Sequence, residues 1–252
     1  MRTNKLMALL VSNKHVQRPH IEVDNAAADQ TIYIYDAIVG TKLEAEYWGG
    51  VSAEELVPQI RAIKGGTVNL RINSPGGDVF AAQAIVAAIR DTGATVVAYV
   101  DGLAASAATV IATAADRVEM SDGALWMIHC GWTMALGNAT DMRATAALLD
   151  KVDATIAKQY AERTGMTVDA VMQLMLAETW FDAQEAVANG FVTAICAPAK
   201  AKNQWDLTAY GKAPQPQPNP EPAPAPAVEN ATPEHRDYQR RHLRMTLVTP
   251  PQ

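Results

Sequence analysis

The run DGLAASAATVIATAADRVEM, residues 101–120, holds one serine, Ser106, among alanines and aliphatic residues. Two readings of that hydroxyl are open. A serine among small side chains packs closely against a neighbouring backbone, which is reason enough for its presence. Near a helix start it also meets N–H groups that lack intrahelical partners and the positive end of the helix dipole, where developing negative charge is favoured. A serine nucleophile then needs a base, because its own pKa lies far above neutrality. His129 closes the apolar run ALWMIH (124–129), while His15, His20, His235 and His242 fall in the terminal segments. The third feature is Asn73-Ser74-Pro75-Gly76-Gly77, whose glycines let backbone N–H groups point into a cleft, as an oxyanion or phosphate cradle requires. It matches neither GxxxxGK[ST] nor GxGxxG, which disfavours a nucleotide. Singly, the three read as packing filler, a structural strand-end histidine and a tight turn. Together, each following a strand candidate, they read as one serine-hydrolase site. On residues alone, an unspecified ligand-binding α/β domain stays open beside it.

The elements that must position these groups alternate in type. TIYIYDAI (31–38), TVNLRI (67–72), ATVVAYV (94–100), ALWMIH (124–129) and FVTAI (191–195) have strand composition. Between them, SAEELVPQIRAI (52–63) begins with Ser52 and Glu55 at capping-box spacing, and DVFAAQAIVAAIRDTG (78–93) is a helix that Gly93 ends. AASAATVIATAA (104–115) is expected as a helix with Ser106 about one turn in. A long helix is expected over 140–163, with Leu149, Val152, Ile156 and Tyr160 at helical spacing and Gly165 as its stop. DAQEAVANG repeats the capping signal with Asp182 and Glu185. This alternation predicts an α/β fold of parallel βαβ units, whose right-handed crossovers put strand C-terminal ends, and the site, on one side.

Composition bounds the rest. Half-apolar content over 252 residues suits one sizeable core, and a net charge of −6 gives no general case for nucleic acid. The locally basic stretch is the extreme tail, with Arg236, Arg240, Arg241 and Arg244. Cys130 and Cys196 read as reduced, packed thiols. The opening residues are too weakly apolar for a signal peptide and too short to span a bilayer, so a soluble, intracellular protein is expected. APQPQPNPEPAPAP (213–226) reads as an extended linker. The expected organisation is an N-terminal segment (1–20), a globular domain (21–206), a Pro-rich linker (207–233) and a basic polar tail (234–252).

INSPGGDV, DGLAASAA, MIHC and WFDAQEAVANGFVTAI occur here in the order in which the Clp protease proteolytic subunit (ClpP) family carries such motifs. The chain resembles that family over about residues 31–195, and in detail its phage branch, the ClpP-related head maturation (prohead) proteases. The resemblance implies a ClpP/crotonase-like fold with a protruding "handle" helix, matched by 140–163. It implies rings of identical subunits around an enclosed chamber. Position by position, Ser106 matches the nucleophile, His129 the general base, and the N–H groups of Gly77 and Ala107 the oxyanion hole. The third member in the family is an aspartate. Counting on from His129, its place is held here by Glu178, a departure that asks for a slightly different backbone placement. Asp182 is the nearest aspartate but reads as a helix cap, and Asp141 is a weaker candidate still.

The resemblance implies a serine endopeptidase that needs no metal or organic cofactor and no ATP. It would process scaffold or capsid-associated proteins, with the portal as a further partner, in the host cytoplasm within the assembling prohead. Neither nucleic acid nor membrane is expected as a partner. A cellular Clp-type subunit working with an ATP-dependent unfoldase shares the chemistry and differs in partner. A crotonase-like CoA-thioester enzyme shares the fold but has no use for a Ser106–His129 pair. A non-catalytic assembly protein retaining the fold is the remaining alternative.

Overall fold

Residues 67–74, TVNLRINS, alternate half-buried and buried side chains before becoming wholly buried, the pattern of a strand entering the middle of a sheet. In the computed structural model, which describes residues 5–14, 29–197 and 205–214, this strand lies inside a largely parallel sheet. The elements are α1 (Lys5–Asn13), β1 (Asp29–Ile34), β2 (Ile38–Val39), α2 (Lys42–Trp48), β3 (Val51–Ser52), α3 (Ala53–Ala62), β4 (Thr67–Ser74), α4 (Val79–Asp91) and β5 (Thr95–Ala105). They continue with α5 (Ala107–Ala112), β6 (Arg117–Ser121), β7 (Leu125–Ile128), α6 (Ala139–Thr164), α7 (Val168–Leu176), β8 (Thr179–Phe181), α8 (Ala183–Ala188) and β9 (Ala194–Cys196). Chain contacts group residues 1–213 as one unit and 214–252 as another. The proline-rich stretch beyond 214 and the basic tail lie outside the described residues.

The main sheet runs β1-β4-β5-β6-β9, all pairs parallel. β5 is long enough to serve two neighbours on one edge. Its residues Val97–Val100 pair with β6, and Leu103–Ala105 pair with β7. β7 in turn carries β8 antiparallel. β4, β5 and β7 are therefore adjacent in space although β6 intervenes in the chain, so their C-terminal ends form one edge. A small parallel pair, β2-β3, stands beside them.

Local signals explain several helices. Ser52 Oγ accepts from Glu55 N at 3.3 Å to start α3, and Asp78 Oδ1 accepts from Ala81 N at 2.8 Å to start α4. α4 buries Ala82, Ile85, Val86 and Ile89 against the sheet. α6 has a capping box from Asn138 and Asp141 and ends on left-handed Gly165. Its 26 residues span about 39 Å at 1.5 Å per residue, yet its buried residues, Ile156, Ala157 and Tyr160, all belong to the C-terminal part. The N-terminal part projects, as the handle of the resembled family does.

The structure departs from the sequence expectations in several places. The expected helix over 104–115 begins only at Ala107, because β5 continues through Ala105 in register with both β4 and β7. Ser106 is thus the junction residue and not one turn into a helix. The expected strand over 31–38 divides into β1 and β2, and the strand over 191–195 shifts to β9. Five short elements, α2, β3, β6, α7 and β8, were not expected. Residues 5–13, in the segment set apart from the domain, form α1 with Leu9 and Leu10 buried. Leu207 and Tyr210, placed by sequence in the linker, pack in a small cluster with Leu9, Leu103, Ala105 and Met127.

Candidate active site

At the end of β4 the chain turns through the glycines. Ser74 Oγ donates to Asp36 O at 2.7 Å and accepts from Gly76 N at 3.2 Å. Gly76 O then accepts from Ile38 N at 2.9 Å, and Asp78 N donates to Ile38 O at 2.8 Å. A trans peptide points its C=O and N–H in opposite directions. With Gly76 O turned toward β2, the N–H of Gly77 faces the other way, toward the cleft. Both glycines have positive φ, 90° and 152°. A Cβ on Gly76 would lie 2.5 Å from Ala105 O and 2.8 Å from Ser106 Cβ. Only glycine lets this loop lie against the serine turn.

Ser106 closes β5 with its N–H on Met127 O at 2.8 Å. Its φ of 54° and ψ of −123° reverse the chain sharply into α5. Such backbone strain costs about 1–3 kcal/mol and persists where surroundings over-determine it. Here the restraints are the ladder to β7 and the bonds that Ser106 O accepts, from Thr109 N at 2.9 Å and Thr109 Oγ1 at 2.5 Å. Thr109 Oγ1 also meets the Tyr160 hydroxyl at 2.5 Å, tying the turn to α6. Ala107, directly after the serine, supplies the first backbone N–H of α5 and lines the same cleft.

His129 follows β7, and its Nε2 lies 2.7 Å from Ser106 Oγ. The residues flagged from sequence therefore meet: serine against imidazole, with the glycine loop across both. The antiparallel register of β7 and β8 pairs Trp126 with Phe181, Met127 with Trp180 and Ile128 with Thr179. His129 is the residue just after β7 and Glu178 the residue just before β8. Glu178 is, with Ser106, one of two non-glycine residues at positive φ among those described. Its carboxylate accepts from Gly211 N at 3.1 Å and Lys212 N at 2.6 Å. Asp182 accepts from Glu185 N at 2.8 Å and Asp141 from Asn138 N at 2.8 Å, so both alternatives act as helix caps.

Sequence reasoning missed Tyr210. It is buried, donates its hydroxyl to Pro75 O, and packs edge-on to His129 with ring centroids 5.3 Å apart. Burial pushes its pKa up, the neighbouring Ser106 side chain opposes the rise, and the Glu178 charge adds to it. The phenol therefore stays protonated at neutral pH. The one signal in the sequence is the apolar residues of WDLTAY just before the prolines.

A cleft of about 560 Å³ opens beside Ser106 and His129. Val110, Leu149, Val152 and Ile156 form an apolar wall, with Phe80 and Leu136 also lining it. Cys130, next to His129, has its thiol pushed up to about 12, by burial first and then by Asp153. It is thus a poor rival nucleophile. Among the described residues no group of three or more His, Cys, Asp or Glu could hold a metal ion, and no helix is long and apolar enough to cross a membrane.

The family model described as Clp protease matches residues 50–199. Curated relatives include ATP-dependent Clp protease proteolytic subunits of Streptococcus pneumoniae strains Hungary19A-6 and CGSP14. Each is 36% identical over 134 residues, which cover 52% of this chain and 68% of the relative. Among solved structures, a point mutant of ClpP1 from Listeria monocytogenes superposes with a TM-score of 0.56 at 23% identity, covering 66% of this chain and 91% of that one.

Proposed function

The chain belongs to the Clp protease family and is a serine-type peptidase, and from that premise we propose that Ser106, His129 and Glu178 are its catalytic triad. The observation that carries the assignment is the 2.7 Å contact of Ser106 Oγ with His129 Nε2 at a strained strand end. In this reading an extended peptide lies beside Gly76-Gly77 as an added strand. Ser106 attacks the scissile carbonyl while His129 takes its proton, and Glu178 orients the imidazole. The oxyanion rests on the N–H groups of Gly77 and Ala107. His129 then protonates the leaving amine, and water releases the acyl-enzyme. The apolar wall of the cleft supports an apolar side chain next to the scissile bond.

The chamber that would limit access is a ring of identical subunits, with α6 reaching a facing copy; its projecting N-terminal part, with exposed Met142 and Leu148, supports this. The biological role we infer is ATP-independent processing of scaffold or capsid-associated proteins during phage head maturation. The motifs of the phage branch support it, and the tail beyond the proline-rich stretch suits an assembly arm or a self-cleaved extension. A second reading, a cellular subunit serving an ATP-driven unfoldase, is favoured by the names of the 36% identical relatives. Labelling by a fluorophosphonate tests the chemistry. Wild type should react and Ser106→Ala should not, whereas an unlabelled wild type would favour a thioester-binding or purely structural protein. Cleavage of a co-expressed scaffold protein without ATP supports the phage role; degradation that requires a Clp ATPase and ATP supports the cellular one.

A further inference from the structure

Segment 205–214 is fastened on both sides of Tyr210. Asn13 Nδ2 donates to Asp206 O at 3.0 Å, and Asp206 N donates to Asn13 Oδ1 at 2.9 Å, a reciprocal pair reaching from α1. Trp205 Nε1 donates to Asn73 Oδ1 at 3.2 Å, just ahead of the glycine loop. Beyond Tyr210, the N–H groups of Gly211 and Lys212 hold the Glu178 carboxylate. Between these anchors the tyrosine ring stands edge-on to His129 and to Trp180, with centroids 5.3 and 5.9 Å away.

The phenol completes the restraint of a loop that its own sequence leaves soft. Two successive glycines give the chain after Pro75 wide conformational freedom. An oxyanion donor must be aimed in advance of reaction, so that freedom has to be removed from outside. The Gly76–Gly77 peptide plane is held by Ile38 N on Gly76 O. The Pro75–Gly76 plane is held at its N–H end by Ser74 Oγ and at its carbonyl end by the Tyr210 hydroxyl. Pro75 is buried, and a buried carbonyl without a donor is costly. Tyr210 also lines the cleft together with Gly77, Ser106 and His129, so one residue touches both the support of the oxyanion loop and the site itself.

Resting on the Ser106–His129 assignment, we propose that Tyr210 is a positioning residue for the hydrolytic reaction: its hydroxyl fixes the Pro75 carbonyl and with it the aim of the Pro75–Gly77 loop, so that the segment following the family domain completes the active site.

The experiment measures second-order labelling by a fluorophosphonate and turnover of a fluorogenic peptide with an apolar residue before the scissile bond. It uses the full chain as wild type, Tyr210→Phe and Asn13→Ala. Tyr210→Phe keeps the ring against His129 and Trp180 and removes only the hydroxyl. Labelling and kcat should fall by about tenfold, less than the loss of an oxyanion donor outright. KM, the thermal melt and the midpoint of the ascending pH–rate limb should stay at wild-type values. Asn13→Ala should slow labelling in the same direction by a smaller factor, with faster proteolysis of segment 205–214. An unlabelled wild type would sink the serine assignment itself. A labelled wild type with Tyr210→Phe reacting equally fast, or faster, overturns only the role of Tyr210. A shifted pH midpoint with an unchanged plateau also overturns it, since the phenol would then act on His129. If Tyr210→Phe does not melt cooperatively, Asn13→Ala decides: wild-type labelling with a loosened segment refutes the proposal.

Discussion

Replacing Gly76 by alanine adds one methyl group where the glycine loop crosses the serine turn. The new Cβ would stand 2.5 Å from Ala105 O, 2.8 Å from Ser106 Cβ and 3.1 Å from Ala107 N. To reach an ordinary 3.4 Å contact from 2.5 Å, the loop must retreat by about 0.9 Å from Ala105 O. The φ of 90° adds strain of roughly 1–2 kcal/mol for a residue with a Cβ. Together these leave most of a folding stability of about 5–15 kcal/mol, so the protein should remain folded. The site should not tolerate the shift so well. A displacement near 1 Å can cost about a hundredfold in rate. Withdrawing Gly77 N–H from the oxyanion approaches the loss of a donor, on the order of 10² to 10³. The expected outcome is a cooperative melt lowered by several degrees, KM changed little, and kcat and fluorophosphonate labelling reduced about 10²-fold or more. Wild-type labelling by a folded Gly76→Ala protein would refute the reasoning, because it would show that the loop need not approach Ser106 closely for the chemistry.

Two further outcomes bear on the carboxylates and thiols around His129. Glu178→Ala should lower kcat by about 10³-fold, as expected when an imidazole loses its orienting carboxylate, whereas Asp182→Ala should cost about 1 kcal/mol of stability through the α8 cap and leave kcat intact. The reverse ranking in peptide hydrolysis and thermal melts would transfer the third role to Asp182. Cys130, with its thiol raised to about 12 by burial and then by Asp153, should resist iodoacetamide at pH 8 in the folded protein, its thiolate fraction being roughly 10⁻⁴. Asp153→Asn removes a negative neighbour, lowers that pKa and should speed alkylation several-fold; peptide mapping that finds no change would deny the electrostatic contribution.

Much of the site was legible because its parts lie in short, ordered motifs. The glycine turn, the serine and the one histidine outside the terminal segments each follow a strand candidate, and parallel crossovers bring strand ends to one edge. Capping pairs such as Ser52–Glu55 and Asp182–Glu185 were equally readable, since a cap needs only residues three positions apart. The alanine run after Gly102 misled, because alanine favours helix by intrinsic propensity. Its strand conformation through Ala105 comes from partners outside the run, Ser74 opposite Ala104 on one side and Met127 opposite Ala105 on the other.

The amino-acid sequence by itself determined the α/β alternation, the order glycine–serine–histidine and the chemistry those residue types can perform. These depend on local periodicity and residue identity. Only the tertiary structure decided that Ser106 sits in a strained turn and not inside a helix, because ladder pairing on both sides of β5 outweighs propensity. The count from His129 pointed to Glu178, and the β7–β8 pairing then brought the residue before β8 to the strand end that His129 follows. The structure alone joined Tyr210 to a carbonyl 135 positions away, since burial of that loop demands a donor and the fold supplies it from a distant segment.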